Sequence, residues 1–182
     1  MILLTAFWFF LPAGLANGAP VLIRKVPVLN RWDTPLDSGK SYRGKRILGP
    51  HKTWRGLLAG IVLALIIIGL QKYFYIRHDW IQEISWFDYR SGNVWLLGVL
   101  FGAGALLGDA TESFIKRQKG VTSGKLWFPY DQIDYIIGGL LLTLPLVRPS
   151  IELIASVFVV YFGLHLLFTY IFYLIGFREK PI

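Results

Sequence analysis

Cysteine is missing from this 182-residue sequence, which excludes disulfides, thiolate metal sites and a thiol nucleophile. Methionine occurs once, at Met1, and the scarcity of both sulfur residues fits a thermophilic source. Charge is sparse as well. Asp, Glu, Lys and Arg make up 16% of the chain against 54% hydrophobic residues, with a mean hydropathy of +0.52. Those proportions exclude a soluble globular domain and describe helix packed on helix in lipid. Acidic residues are the scarcer sign, 11 against 19 basic ones, so the formal net charge is +8. The N-terminus lacks the basic stretch that opens a secretory signal. It is apolar from Met1 onward, which predicts a retained helix rather than a cleaved leader. There is no internal repeat and no low-complexity tract, so residues 1–182 are expected to form a single integral-membrane domain.

Long apolar runs are what the chain has in quantity. A spanning helix needs about 20 apolar residues. Five runs approach that length: 2–22, interrupted by Pro12 and Pro20; 57–76; 94–107, continuing as helix through Arg117; 133–147; and 151–177. The expected fold class is all-α, a polytopic membrane protein with five transmembrane helices joined by polar loops. On the third helix, Gly98/Gly102 and Gly104/Gly108 form small-xxx-small pairs, which suit close helix approach in a membrane but also occur as ordinary glycines of such helices.

Lys and Arg are distributed unevenly. The first loop carries Arg24, Lys25, Arg31, Lys40, Arg43, Lys45, Arg46, Lys52 and Arg55, the third carries Lys116, Arg117, Lys119 and Lys125, and the C-terminal tail carries Arg178 and Lys180. Parity of five spans puts these segments on one side. The other side has only Lys72, Arg77, Arg90 and Arg148. The positive-inside bias predicts a cell-membrane protein with its N-terminus outside and its polar loops and C-terminus in the cytoplasm.

Both cytoplasmic loops carry chemistry. In the first, Arg43, Lys45, Arg46, Lys52 and Arg55 are interleaved with glycines, His51 and Thr53. Such cations pair with phosphate oxygens, and the free amides of a helix starting near Trp54 would bind an anion. Gly39-Lys40-Ser41 has the end of a P-loop motif without the full pattern and without a preceding strand. In the second, Asp109, Glu112, Ser113 and Lys116 fall at i, i+3, i+4 and i+7, on one helical face at a membrane border. Ionisable groups in that position are functional candidates. Asp131 and Asp134 add a second acidic pair on the first turn of the next helix. Hard oxygen ligands beside phosphate-binding cations suit Mg²⁺. The same groups would also form ion pairs, Asp109 or Glu112 with Lys116, and Asp131 would cap its helix. His165, in mid-span, is expected to be structural. Basic residues among aromatics elsewhere suggest nucleic acid, but here membrane topology accounts for the charge, so no nucleic-acid partner is expected.

Three stretches carry a family likeness: Asn17-Gly-Ala-Pro20; Leu48-Gly-Pro-His-Lys-Thr-Trp-Arg-Gly56; and Gly108-Asp109 through Ser113-Phe-Ile-Lys-Arg117, closing with Pro129-Tyr-Asp-Gln-Ile-Asp134. On these the chain resembles the CDP-archaeol synthases, archaeal relatives of the phosphatidate cytidylyltransferases. Ser113, Lys116-Arg117, Pro129, Asp131 and Asp134 match the broader cytidylyltransferase signature, while Gln132 replaces its Arg and the Pro-Gly-His-Gly-Gly element is absent. The resemblance implies transfer of CMP from CTP to an isoprenoid ether-lipid phosphate. In it Asp109, Glu112, Asp131 and Asp134 would hold Mg²⁺ and, with Lys116, act catalytically. Arg43, Lys45, Arg46, His51, Lys52, Thr53, Arg55, Ser113 and Arg117 would bind the phosphates. A small transporter or flippase for an anionic solute or lipid is the rival reading, and oligomeric state stays open.

Overall fold

The computed structural model describes residues 1–24, 26 and 32–175. Lys25, Arg31, Arg178, Lys180 and the end of the expected fifth span, to 177, lie outside the described residues. The chain runs α1 (Ile2–Ile23), β1 (Ser41–Tyr42), β2 (Lys45–Arg46), α2 (Trp54–Arg77), α3 (Asp79–Glu83), α4 (Val94–Gln118), α5 (Tyr130–Thr143) and α6 (Ile151–Leu174). Among the described residues, α1, α2, α4 and α6 are long and apolar enough to cross a membrane.

Side chains fix where several helices begin. Thr53 Oγ1 accepts from the Gly56 amide at 3.1 Å and starts α2, and Asn93 Oδ1 accepts from the Leu96 amide at 3.1 Å and starts α4. Ser150 Oγ accepts from the Leu153 amide at 3.2 Å and starts α6. Each cap satisfies an amide that the helix itself leaves unpaired. α5 departs from the expected run at 133–147. It starts at Tyr130 and stops after Thr143. Leu144 keeps helical angles and still donates to the Leu140 carbonyl, but Pro145 has no amide to give the Leu141 carbonyl and its ring crowds that turn, which ends the helix early. At 14 residues, α5 is about 21 Å long at 1.5 Å per residue, too short to cross the hydrocarbon alone.

The expectation of an all-α fold needs one correction. β1 and β2 form a two-stranded antiparallel hairpin, with Ser41 opposite Arg46 and Tyr42 opposite Lys45. Its turn residues Arg43 and Gly44 have φ of +51° and +74°, the left-handed pair that matches strand twist in a two-residue hairpin.

The glycine pairs of α4 pack against two different helices. Gly98 lies on Ile68 and Leu65 of α2, and Gly102 lies on Ile61, Ala64 and Gly60 of the same helix. Gly104 meets Gly138 and Gly139 of α5, and Gly108 meets Gly138 and the Asp134 carbonyl. Ascending numbers on α4 meet descending numbers on α5, so the two helices are antiparallel. Without side chains at the contact the backbones approach closely, the usual way helices associate where lipid offers no hydrophobic drive. A Cβ at Gly108 would overlap α5 backbone, which cannot swing aside. Gly108→Leu is therefore expected to cost about 1–3 kcal/mol of stability. Gly163→Leu, at a site with nothing within 4 Å, is expected to cost nothing. Thermal unfolding in detergent compares the two, and equal midpoints would show that this contact does not hold α4 to α5.

Aromatic side chains fill the centre. Phe9 and Phe10 of α1 meet Phe101 of α4 edge-on at 5.3 and 5.5 Å, and Phe10 meets Tyr161 of α6 at 5.0 Å. The Tyr161 hydroxyl donates to the Phe7 carbonyl at 2.7 Å, and the Tyr135 hydroxyl donates to the Tyr161 carbonyl at 3.0 Å. These bonds give buried phenols a partner and tie α1, α5 and α6 into one frame.

Candidate active site

Above that aromatic centre the polar ends of the helices enclose a cavity of about 1190 Å³. α1 contributes Asn17 and Arg24, the segment before α2 contributes His51, Lys52 and Thr53, and α6 contributes His165. α4 contributes Asp109, Glu112, Ser113, Lys116 and Arg117, and α5 contributes Asp131 and Asp134.

Carboxylates converge because α4 and α5 touch through glycine. Gly108 rests on the Asp134 backbone, so the residue after Gly108 and the Asp134 side chain meet at one level. Oxygens of Asp109, Glu112 and Asp134 lie within 4.8 Å of one another. Two ammonium groups face them. Lys52 Nζ lies 2.5 Å from both carboxylate oxygens of Asp109. Lys116 Nζ lies 2.6 Å from Asp131 Oδ1 and 3.7 Å from Glu112 Oε1. Asp131 is thus held by Lys116 and by the Trp127 amide at 2.6 Å, and not as the expected cap: Pro129 occupies the N-cap position of α5.

In ionised form these four carboxylates exceed the two ammonium charges by two, the charge of one divalent cation. Glu112, 7% exposed, also has an oxygen, Oε1, without a hydrogen-bond partner. Like charges gathered at low dielectric repel unless a counter-charge joins them. The donor set is all oxygen, the chemistry of a hard divalent cation. The cluster therefore fits such an ion.

The loop that delivers Lys52 is organised by Asp37. Its carboxylate accepts from the amides of Gly39, Leu48 and Gly49 at 3.0, 2.9 and 3.1 Å, and from Arg46 Nε at 3.3 Å. Burial alone would raise the Asp37 pKa. Arg46 and the three amides outweigh it and hold the carboxyl well below the usual range. The loop backbone also pairs with the chain before it, Leu36 N to the Lys52 carbonyl at 2.8 Å and Trp54 N to the Thr34 carbonyl at 3.1 Å. His51 is held below the ordinary histidine pKa by burial and by the nearby Arg24 and Lys52 charges. The Arg24 guanidinium also donates to the His51 carbonyl at 3.2 Å.

Most sequence-predicted site residues therefore meet in one cavity, and some do not line it. Arg46 is paired with Asp37, and Arg55, 5% exposed at its side chain, is paired with Asp33 at 2.9 Å. Lys45 Nζ donates to the Gln118 carbonyl at 2.5 Å, which docks the hairpin on the end of α4. The Arg43 guanidinium lies over the Tyr42 ring at 5.4 Å. Thr53 spends its hydroxyl on the α2 cap. Sequence reasoning missed Asp37, Arg24 and His165. Asp-Ser-Gly at 37–39 is a turn signature that could have marked Asp37 as an organiser. Nothing in periodicity marked His165 as a cavity residue.

A family model described as "CarS-like: CDP-archaeol synthase" matches residues 1–182. Relatives named CDP-archaeol synthase include one from Thermococcus kodakarensis, 32% identical over 97% of this chain and 94% of that protein. Another, from Methanospirillum hungatei, is 34% identical over 94% of this chain and 99% of that protein. A solved structure, described as an intramembrane enzyme for archaeal membrane lipids biosynthesis, is similar with a TM-score of 0.67. It is 26% identical and the match covers 89% of this chain and 90% of that one.

Proposed function

We propose, because the chain belongs to the CDP-archaeol synthase family, that it transfers CMP from CTP to the phosphate of 2,3-bis-O-geranylgeranyl-sn-glycerol 1-phosphate. An oxygen of the lipid phosphate attacks the α-phosphorus of CTP. The bond from that phosphorus to the bridging oxygen breaks, and pyrophosphate leaves. The observation that carries this reading is the meeting, in one cavity, of three close carboxylates with Lys52, Lys116 and Arg117. The transporter reading is not favoured by the relatives, and the chain has no inverted repeat to support it.

The lipid phosphate is already a nucleophile, so the protein's task is to bring two anions together and spread their charge. Lys116, fixed between Glu112 and Asp131, offers a positive charge that cannot move away. Lys52, Arg117 and His51 line the space where a triphosphate would lie, and Ser113 offers a hydroxyl beside them. Arg46 and Arg55 act from behind, holding the loop through Asp37 and Asp33. Arg43 and Lys45 keep the hairpin against α4. Asp109, Glu112 and Asp134, with Asp131 beside them, would hold Mg²⁺, which when bound supplies Lewis-acid neutralisation of the phosphates. Incubation of the purified protein with labelled CTP, Mg²⁺ and the ether-lipid phosphate is expected to move label into lipid. Label that stays in CTP would overturn the assignment.

We further read residues 1–182 as one catalytic membrane domain in which α5 and the turn after it make a fifth crossing. The N-terminus would then be outside, with the cavity cytoplasmic. Because the chain has no cysteine, single reporters test this directly. Ser123→Cys is expected to label only from the cytoplasmic side of sealed vesicles, and Ser91→Cys and Arg148→Cys only from outside. Labelling of Arg148→Cys from the cytoplasm would make α5 re-entrant and reverse α6.

A further inference from the structure

A second cavity, about 450 Å³, runs between α4 and α5. Its α4 wall is Gly104, Leu107, Gly108, Thr111, Glu112 and Ile115, one face at helical spacing. Its α5 wall includes Ile133, Asp134, Ile137, Gly138 and Leu141. The glycines that let the helices touch leave no side chain between them, so the groove is the hollow beside that contact. Leu107, Ile115, Ile137 and Leu141 are 40–59% exposed on the outer surface of α4 and α5. Thr111 gives its hydroxyl to the Leu107 carbonyl at 2.8 Å, so it offers the groove a methyl and no donor.

Glu112 and Asp134 line both this groove and the polar cavity. The two spaces therefore share a wall at two carboxylates of the candidate metal cluster. One is lined by cations and suits a triphosphate. The other is lined mainly by apolar side chains, with Lys119 also in its wall, and runs along α4 and α5. We propose that the α4–α5 groove binds an isoprenoid chain of the lipid phosphate, so that the acceptor reaches the carboxylates from the bilayer while the nucleotide reaches them through the polar cavity. This rests on the functional reading above and adds to it the place where the lipid lies. The occupant is the acceptor rather than a bulk lipid because the groove runs past Glu112 and Asp134, the same carboxylates that line the polar cavity. A chain seated there carries its own phosphate to them.

Tryptophan at Ile137 or Leu141 fills the groove. Each displaces several methylene contacts, and the KM for the long-chain lipid phosphate is expected to rise about tenfold or more. CTP affinity, measured without lipid, is expected to equal that of the wild type, which also shows that the variants fold. Turnover of a short-chain glycerol phosphate acceptor is expected to be unchanged. Leu141→Ala, a milder change at a site 59% exposed, is expected to raise the lipid KM by about threefold. Val159→Trp, at a site 66% exposed on α6 and outside the groove lining, serves as the control. An unchanged lipid KM in both groove variants, or an equal rise in the control, overturns the proposal. So does a change in oligomeric mass with the lipid KM unaltered, which would assign the groove to a second copy of this chain. Failure of the functional reading looks different: the wild type itself would transfer no CMP to any acceptor.

Discussion

Asp134→Asn is expected to abolish cytidylyl transfer, a fall of about 10²–10³-fold or more, while leaving the fold intact. Asn keeps the size and an oxygen that can accept from the Tyr135 amide, the hydrogen bond Asp134 Oδ1 makes at 2.5 Å. What it removes is one of three carboxylates packed within 4.8 Å. No lysine or arginine is paired with Asp134 among the described residues, whereas Lys52 holds Asp109 and Lys116 holds Asp131 and Glu112. Asp134 is thus the carboxylate whose charge most needs a cation from outside the chain. Two signs follow. Without Mg²⁺ the variant melts at or above the wild-type midpoint, because a like-charge repulsion is gone. With Mg²⁺ the wild type gains stability by ligand linkage, and the variant gains less. Transfer assays and melting curves with and without Mg²⁺ measure both. An active variant with wild-type Mg²⁺ dependence would place the ion elsewhere.

The acidic pairs were legible because helical spacing is a local property. Asp109, Glu112 and Lys116 had to share a face of α4 as soon as that segment was helical. The pairing of α4 with α5 was half legible. Gly104 and Gly108 announced a close contact, but one chain's sequence does not say which helix accepts it, and Gly98 and Gly102 turned out to face α2. Periodicity overran the end of α5, since Leu144 and Val147 continue the apolar count while Pro145 stops the helix. The first loop was least legible. Its cations looked equivalent in sequence, and their division depends on long-range partners. Asp37 takes Arg46 and Asp33 takes Arg55, which leaves Lys52 to cross to Asp109, 57 residues away in the chain. No spacing rule predicts such a bond. The hairpin escaped notice for a related reason, because two-residue strands carry too few side chains to show alternation.

Lys52→Met is expected to move metal and nucleotide affinity in opposite directions. The substitution keeps an unbranched side chain of similar length and deletes the charge. In the structure the ammonium lies on both oxygens of Asp109, one of the three clustered carboxylates, and so competes as a monovalent cation for oxygens that a divalent ion would use. A metal that takes those oxygens weakens its hold on Asp109. Lys52 also lines the cavity wall beside His51 and Thr53, where it can take a phosphate oxygen. Without the competing ammonium, Mg²⁺ or Mn²⁺ alone is expected to bind the variant more tightly than the wild type. Without its phosphate contact, CTP in the presence of saturating metal is expected to bind about 10–100-fold more weakly, the scale of a hydrogen bond to a charged group. A purely structural tether behaves otherwise. Loss of a loop anchor would lower the melting midpoint and weaken both ligands together. Titration calorimetry with Mn²⁺ alone, then with CTP, separates these outcomes. Pairing Lys52→Met with Asp109→Asn gives the coupling energy between the two side chains. If Lys52→Met weakens metal and CTP alike, Lys52 anchors the loop and does not exchange partners.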